Sequence, residues 1–194
     1  MISVIIPTLN DERRLVPTLA SLVSGAADGL IVEAIVADGG SSDDTEAVAD
    51  VAGCRFLAGP ADRGERLQAA ARSAKAPWLM FMAPGTVVDE GWIREVRSFL
   101  EAVSRRPAGL QRAAVFALGS EDYGMAQSLA AAAARITFLA GFGPDPRQGL
   151  LIQAERYRTL GGHAPGASPE RALARRVGRF RTTVLRSRAT AILF

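Results

Sequence analysis

Cysteine, lysine and histidine each occur once in this 194-residue chain, as Cys54, Lys75 and His163. A single cysteine excludes an internal disulfide and fits a reducing, cytoplasmic setting. The near-absence of lysine makes almost every positive charge an arginine, whose planar fork suits phosphates and carboxylates. With a net charge of +3, the chain favours anionic ligands, although a general bias toward arginine and alanine would produce the same composition. No unbroken membrane-length apolar run occurs. The most apolar stretch, Ala126–Phe142, is interrupted by Gln127, Ser128, Arg135 and Thr137 and reads as a packed helix. The start of the chain has no basic segment ahead of its first apolar run, so no secretory leader is expected. Aromatics are only 6% of the residues, and no stacking platform or known motif for nucleic acid is present.

What is present is enough for one domain with a full core, at 48% hydrophobic and 22% charged residues. Short apolar runs alternate with helical patterns. Ile2–Ile6 reads as a buried strand ended by Pro7. Leu15, Leu19, Leu22 and Val23 share a helix face, in which Pro17 is tolerable if it sits in the first turn. Ala34–Ala37 reads as a second strand, and Asp43 with Glu46 has capping-box spacing for a helix from about Asp44. Arg55–Ala58, Arg63–Lys75, Trp78–Met82 and Glu90–Val103 continue as strand, helix, strand, helix. Beyond them come a strand at Ala113–Leu118, an alanine-rich helix at Gly124–Ala140, a strand at Leu150–Gln153, a helix at Glu155–Leu160 and a Gly/Pro-rich loop over 161–169. The fold class expected is α/β, a three-layer sandwich around a mostly parallel sheet.

Right-handed crossovers bring the carboxyl ends of parallel strands to one edge. Thr8-Leu9-Asn10, Asp38-Gly39-Gly40, Gly59–Arg63 and Ala83–Thr86 all follow strands, so they should line one ligand crevice. Asp38 at a strand end, followed by two glycines, could accept hydrogen bonds from a base edge or a ribose. The plainer reading is a turn aspartate with glycines for geometry. A dinucleotide fingerprint is absent after the first strand, which disfavours an oxidoreductase.

Taken together, Ser3-Val4-Ile5-Ile6-Pro7-Thr8-Leu9-Asn10 and Asp38-Gly39-Gly40-Ser41-Ser42-Asp43-Asp44-Thr45, followed by Asp62–Arg66 and Leu79–Thr86, resemble the family 2 glycosyltransferases of GT-A fold, in particular small bacterial members. The resemblance implies one domain over 1–194, with a nucleotide-sugar donor half at 1–86 and an acceptor half with a basic tail at 87–194. It implies binding of a nucleotide-diphospho-sugar and transfer of the sugar to an unknown acceptor, with inversion. Pro7, Thr8 and Asn10 would border the nucleoside, with Asp11 as the acid that follows. Asp38 would hold the base, and Arg63 would lie near the base or the diphosphate.

Three departures from that family stand out. Its metal-binding carboxylates, which hold Mg²⁺ or Mn²⁺, are replaced by Ala83 and Gly85. Hard cations need oxygen ligands, so the expected metal has lost its ligands here. Arg147 in Pro146-Arg147-Gln148-Gly149 stands where the family often has Asp, and its fork could serve the diphosphate in place of the cation, making donor binding metal-independent. Pro169-Glu170 replaces the family's Glu-Asp, leaving Glu170 as the candidate catalytic base. The alternative function is a non-catalytic homologue that binds a nucleotide or a partner protein. His163 reads as an idle loop histidine, and Trp78 and Trp92 as core. Seven arginines and no acid lie between Arg171 and Arg188. They read as a solvated face of a packed helix and strand, or as a peripheral contact with the inner face of a membrane.

Overall fold

The structure, a computed structural model, describes residues 1–105, 110–119 and 145–192. Its strands are β1 (Ile2–Thr8), β2 (Ile31–Asp38), β3 (Arg55–Ala58), β4 (Trp78–Phe81), β5 (Thr86–Val88), β6 (Ala113–Gly119), β7 (Leu150–Gln153) and β8 (Thr182–Ala191). Its α-helices are α1 (Glu12–Ala27), α2 (Thr45–Val51), α3 (Arg63–Ser73), α4 (Trp92–Ser104), α5 (Ala154–Thr159) and α6 (Pro169–Val177). The helix expected at Gly124–Ala140 lies outside the described residues. Among the described residues, no helix is long and apolar enough to cross a membrane.

The strands form one sheet in the order β3-β2-β1-β4-β7-β6-β8-β5. β1 to β4 pair in parallel, as do β6 and β8; β7 and β5 run antiparallel to their neighbours. Side chains alternate across the pleat and supply two cores. Ile2, Val4 and Ile6 of β1 pack with Leu15, Leu19 and Leu22 of α1 and with Trp92, Val96 and Phe99 of α4. Ile5, on the opposite face, packs with Leu67 of α3, Tyr157 of α5 and Leu173 of α6. Each such burial contributes roughly 1.5–3 kcal/mol, which is why the central strands read as continuous apolar runs. Trp78 and Trp92 are core residues, as expected. Gly25 is required where α1 crosses Trp92, because a Cβ there would run into the indole ring.

Several local expectations are corrected. β1 continues through Pro7, which pairs with Ala37 of β2. The β4 pairing stops at Ile5↔Phe81, so the missing Pro7 N–H falls where no ladder partner is needed. Pro17 is not in the first turn of α1 but lies deeper inside the helix. Val23 is 63% exposed and does not share the buried face of Leu15, Leu19 and Leu22. The capping box at α2 does not form: Asp44 is the N-cap and makes no side-chain cap bond. The tail is α6, a short 3₁₀ turn and β8, with all seven arginines on exposed positions; along β8, Arg186 and Arg188 alternate with buried Leu185, Ser187 and Ala189.

Candidate functional site

At the carboxyl edge of β1 and β2, the loops after the two strands are hydrogen-bonded to each other residue by residue. Thr8 Oγ1 donates to Asp38 at 2.9 Å. The Asn10 N–H donates to Ser41 Oγ at 2.8 Å, and Asn10 Oδ1 accepts from the Ser42 N–H at 2.8 Å. The Asp11 N–H donates to Thr45 Oγ1, and the Glu12 N–H donates to Asp43. Asn10 sits at φ 55°, in the left-handed region that Asn tolerates better than most residues. Asp43, expected as half of a capping box, instead ties α1 to α2 by accepting from Glu12 and Thr45.

Asp38 is 2% exposed and accepts four hydrogen bonds: from Thr8 Oγ1, from the Ser41 hydroxyl at 2.5 Å, and from the Gly40 and Ser41 N–H groups at 2.8 and 2.7 Å. Burial alone would raise its pKa, but the bonds from Ser41, Thr8 and Gly40 outweigh that and hold the carboxyl below its usual range. Two oxygens offer about four acceptor sites, and all four are used inside the chain. These four bonds show that Asp38 shapes the turn.

Beneath this turn lies Arg66, the last residue of the Asp62–Arg66 segment. It is 3% exposed and donates to the carbonyls of Ala37, Pro60 and Ala61 at 3.1, 2.9 and 2.9 Å. A Cβ on Gly39 would strike its guanidinium, so the glycine makes room for the arginine. Burial, then the charge of Arg63, push Arg66 below its ordinary pKa, opposed by Asp38, Asp62 and Asp11. Its only sequence signal was its place one turn after Arg63 on α3.

Arg63 lines a cleft beside this edge together with Pro7, Phe81, Ala83, Asp145, His163 and Glu170. Its Nε donates to Glu170 at 2.5 Å, joining two candidates that are 107 positions apart. Asp62 caps α3 by accepting from the Glu65 N–H and also accepts from Gly166, so the 161–168 loop is fastened to the start of α3. Gly64 permits that approach: a Cβ there would overlap the carbonyl oxygen of Ala164. Gly64→Ala should therefore cost about 1–3 kcal/mol, read as a fall in the urea midpoint without a change in slope; an unchanged midpoint would mean that the loop does not rest on α3. A wider groove of about 1080 Å³ between α4 and β8 shares no lining residue with the cleft.

Two expected participants are elsewhere. Gly85 is buried against α1 and the last strand. Its N–H donates to the Arg14 carbonyl and to Thr18 Oγ1, and its carbonyl accepts from Ile192. Arg147 does not line the cleft, and its fork is taken by Asp145 through Nε and Nη2, both at 2.9 Å.

The family model for glycosyl transferase family 2 matches residues 3–177. The chain belongs to this family. No curated protein sequence matches it. Among solved structures, it is similar to glucosyl-3-phosphoglycerate synthase from Mycobacterium tuberculosis in complex with phosphoglyceric acid, with a TM-score of 0.71, 21% identity, and coverage of 100% of this chain and 72% of that one. The same synthase has been solved with Mn²⁺, UDP and glucosyl-3-phosphoglycerate. S. aureus TarS in complex with UDP-GlcNAc gives a TM-score of 0.71 at 15% identity, over 100% of this chain and 59% of that one. The fold of this family 2 glycosyltransferase is thus GT-A.

Among the described residues, those at this edge do not fit the Mn²⁺ found with the synthase. Ala83 brings only a methyl group to the cleft. Both backbone polar groups of Gly85 are occupied, and the nearby carboxylates of Asp145 and Glu170 are held by Arg147 and Arg63. Among the described residues, no three His, Cys, Asp or Glu side chains converge.

Proposed function

We propose that the chain binds a nucleotide-diphospho-sugar at the carboxyl edge of β1, β2 and β4 and transfers its glycosyl group to an acceptor hydroxyl. The observation that supports this reading most is the meeting of Arg63 and Glu170 in a cleft beside two interlaced loops, in a chain of a glycosyltransferase family. Glu170 would take the acceptor's proton as the acceptor oxygen bonds to the anomeric carbon. The bond from that carbon to the diphosphate oxygen breaks, and the nucleoside diphosphate leaves with the electron pair. Direct displacement of this kind inverts the centre. Arg63 is the half-buried cation among the described cleft-lining residues; with its Nε on Glu170, its two Nη groups would face the departing diphosphate, supplying a fixed charge where the family uses a metal.

Donor binding should then be insensitive to EDTA and weakened by salt. Arg63→Ala should weaken UDP-glucose binding by about tenfold, as expected for loss of a charged hydrogen bond. Arg147→Ala, whose fork is already committed, should change it less than about twofold. Calorimetric titration with and without EDTA reads all three. Collapse of wild-type binding on chelation, or a larger effect at Arg147 than at Arg63, would overturn the metal-independent reading. Binding without turnover on any donor would select a non-catalytic homologue, a role compatible with Glu170 being held by Arg63.

A further inference from the structure

His163 is not the exposed loop residue its Gly-Gly context suggests. It is 1% exposed, lies edge-on to Phe81 with ring centroids 4.6 Å apart, and lines the same cleft as Arg63 and Glu170. Among the described residues, its ring nitrogens have one hydrogen-bond partner, the Tyr157 hydroxyl. The Tyr157 hydroxyl lies 2.9 Å from Nδ1 and also accepts from the backbone N–H of His163 at 3.0 Å. The hydroxyl proton has no other acceptor among the described residues, so it is directed to Nδ1, which accepts it. Nε2 then carries the ring hydrogen. It is buried and has no hydrogen-bond partner among the described residues.

A second observation says what Nε2–H could meet. The whole cleft encloses about 30 Å³, room for one water-sized group. Its walls are mostly apolar, with a few convergent polar side chains, as in sites that hold small polar ligands. Burial, with the charges of Arg176 and Arg63, keeps the imidazole uncharged. A neutral ring with its hydrogen on Nε2 cannot take a proton there, so it is no general base; it can only donate.

We propose that His163 is a ligand-binding residue, whose Nε2–H donates to one oxygen of the bound substrate, a sugar hydroxyl or a phosphoryl oxygen, that enters the cleft. Tyr157 is the positioning residue that selects the tautomer. The proposal rests on the nucleotide-sugar reading for the identity of the ligand, but the tautomer does not depend on it.

Because His163 is the only histidine, a histidine-labelled sample gives one imidazole in ¹⁵N spectra. The expected spectrum of the free protein is a neutral ring protonated at Nε2 and unchanged across pH 5–8. Addition of UDP-glucose should shift the Nε2–H signal and slow its exchange. A shift with UDP as well assigns the oxygen to a phosphoryl group; a shift with UDP-glucose alone assigns it to the hexose. His163→Phe should weaken UDP-glucose binding by about tenfold, and His163→Gln, which keeps a donor near the Nε2 position, should restore most of it. An Nδ1–H tautomer, an ordinary histidine titration, or a bound probe that leaves Nε2–H unmoved overturns the proposal while leaving the donor-binding reading intact. Failure of the wild-type chain to bind either probe by calorimetry removes the donor reading, and this assignment with it.

Discussion

Asp38→Ala is expected to destabilise the protein by on the order of 3 kcal/mol, and Asp38→Asn by about 1 kcal/mol or less. The difference follows from which donors the carboxylate serves. Alanine strands the Gly40 and Ser41 N–H groups together with two hydroxyls. Asparagine can keep its oxygen on the two N–H groups and turn its amide toward Thr8 and Ser41, whose hydroxyls can accept instead of donate. Chemical denaturation of both variants checks this. Equal losses would mean that the charge of Asp38 matters more than its hydrogen-bond geometry. A loss near zero for alanine would mean that the loop does not depend on it. The carboxylates of Asp38 and Asp43 both have lowered pKa values. Their contribution is complete above the ordinary carboxylate pKa, near 4, and is lost as pH falls through the lower folded values.

A larger pH effect should come from His163 and begin at milder acidity. Burial first, then the Arg176 and Arg63 charges, push its pKa from the ordinary 6.5 down to about 3. The charged and titratable groups facing it are those two arginines and Tyr157, itself raised to about 12 by burial. Unfolding frees the ring to bind a proton below pH 6.5, whereas the folded state refuses one until about pH 3. Stability is therefore complete above the unfolded value and declines between the two. At about pH 4.5 the loss should be on the order of 2–3 kcal/mol. No other side chain ordinarily titrates near pH 6, so the slope between about pH 6.5 and 5 belongs to this residue. His163→Phe should flatten it and leave the carboxylate-dependent loss below about pH 4 in place. A slope that survives the substitution would show that the ring is not held neutral. Arg176 matters to the same feature, because its donations to the Leu160 and Gly162 carbonyls fasten the loop just before His163.

The half of the fold that carries β1 to β4 was legible because parallel strands covered on both faces must be apolar throughout. The runs at Ile2–Ile6 and Trp78–Met82 could be little else. β5 was not legible: three residues after a glycine carry no period, and pairing with β8 alone makes Thr86–Val88 a strand. β8 was blurred because arginines occupy its outward positions. At the site, the two loop motifs were readable as a set, and their mutual hydrogen bonding explains why those residue types occur together. The placements that differ were decided by distant contacts. Thr18 and Arg14 of α1 draw Gly85 away from the cleft. Asp145 captures Arg147 from two residues away, a pairing the sequence offers but does not favour over a ligand. His163 is buried by Tyr157 and Phe81, whose positions depend on α5 and β4 packing on the same core. Arg66 illustrates the reverse: a charge expected at the surface is buried because three carbonyls converge on it.

The central claim, donor binding at the carboxyl edge of β1, β2 and β4 without a divalent cation, is tested most directly by mapping amide chemical shifts during a UDP-glucose titration in EDTA. The account predicts saturable shifts concentrated in Thr8–Glu12, Gly39–Thr45 and the start of α3, extending to His163 and Glu170. Absence of saturable shifts until Mn²⁺ is added, or shifts confined to the groove between α4 and β8, would contradict it.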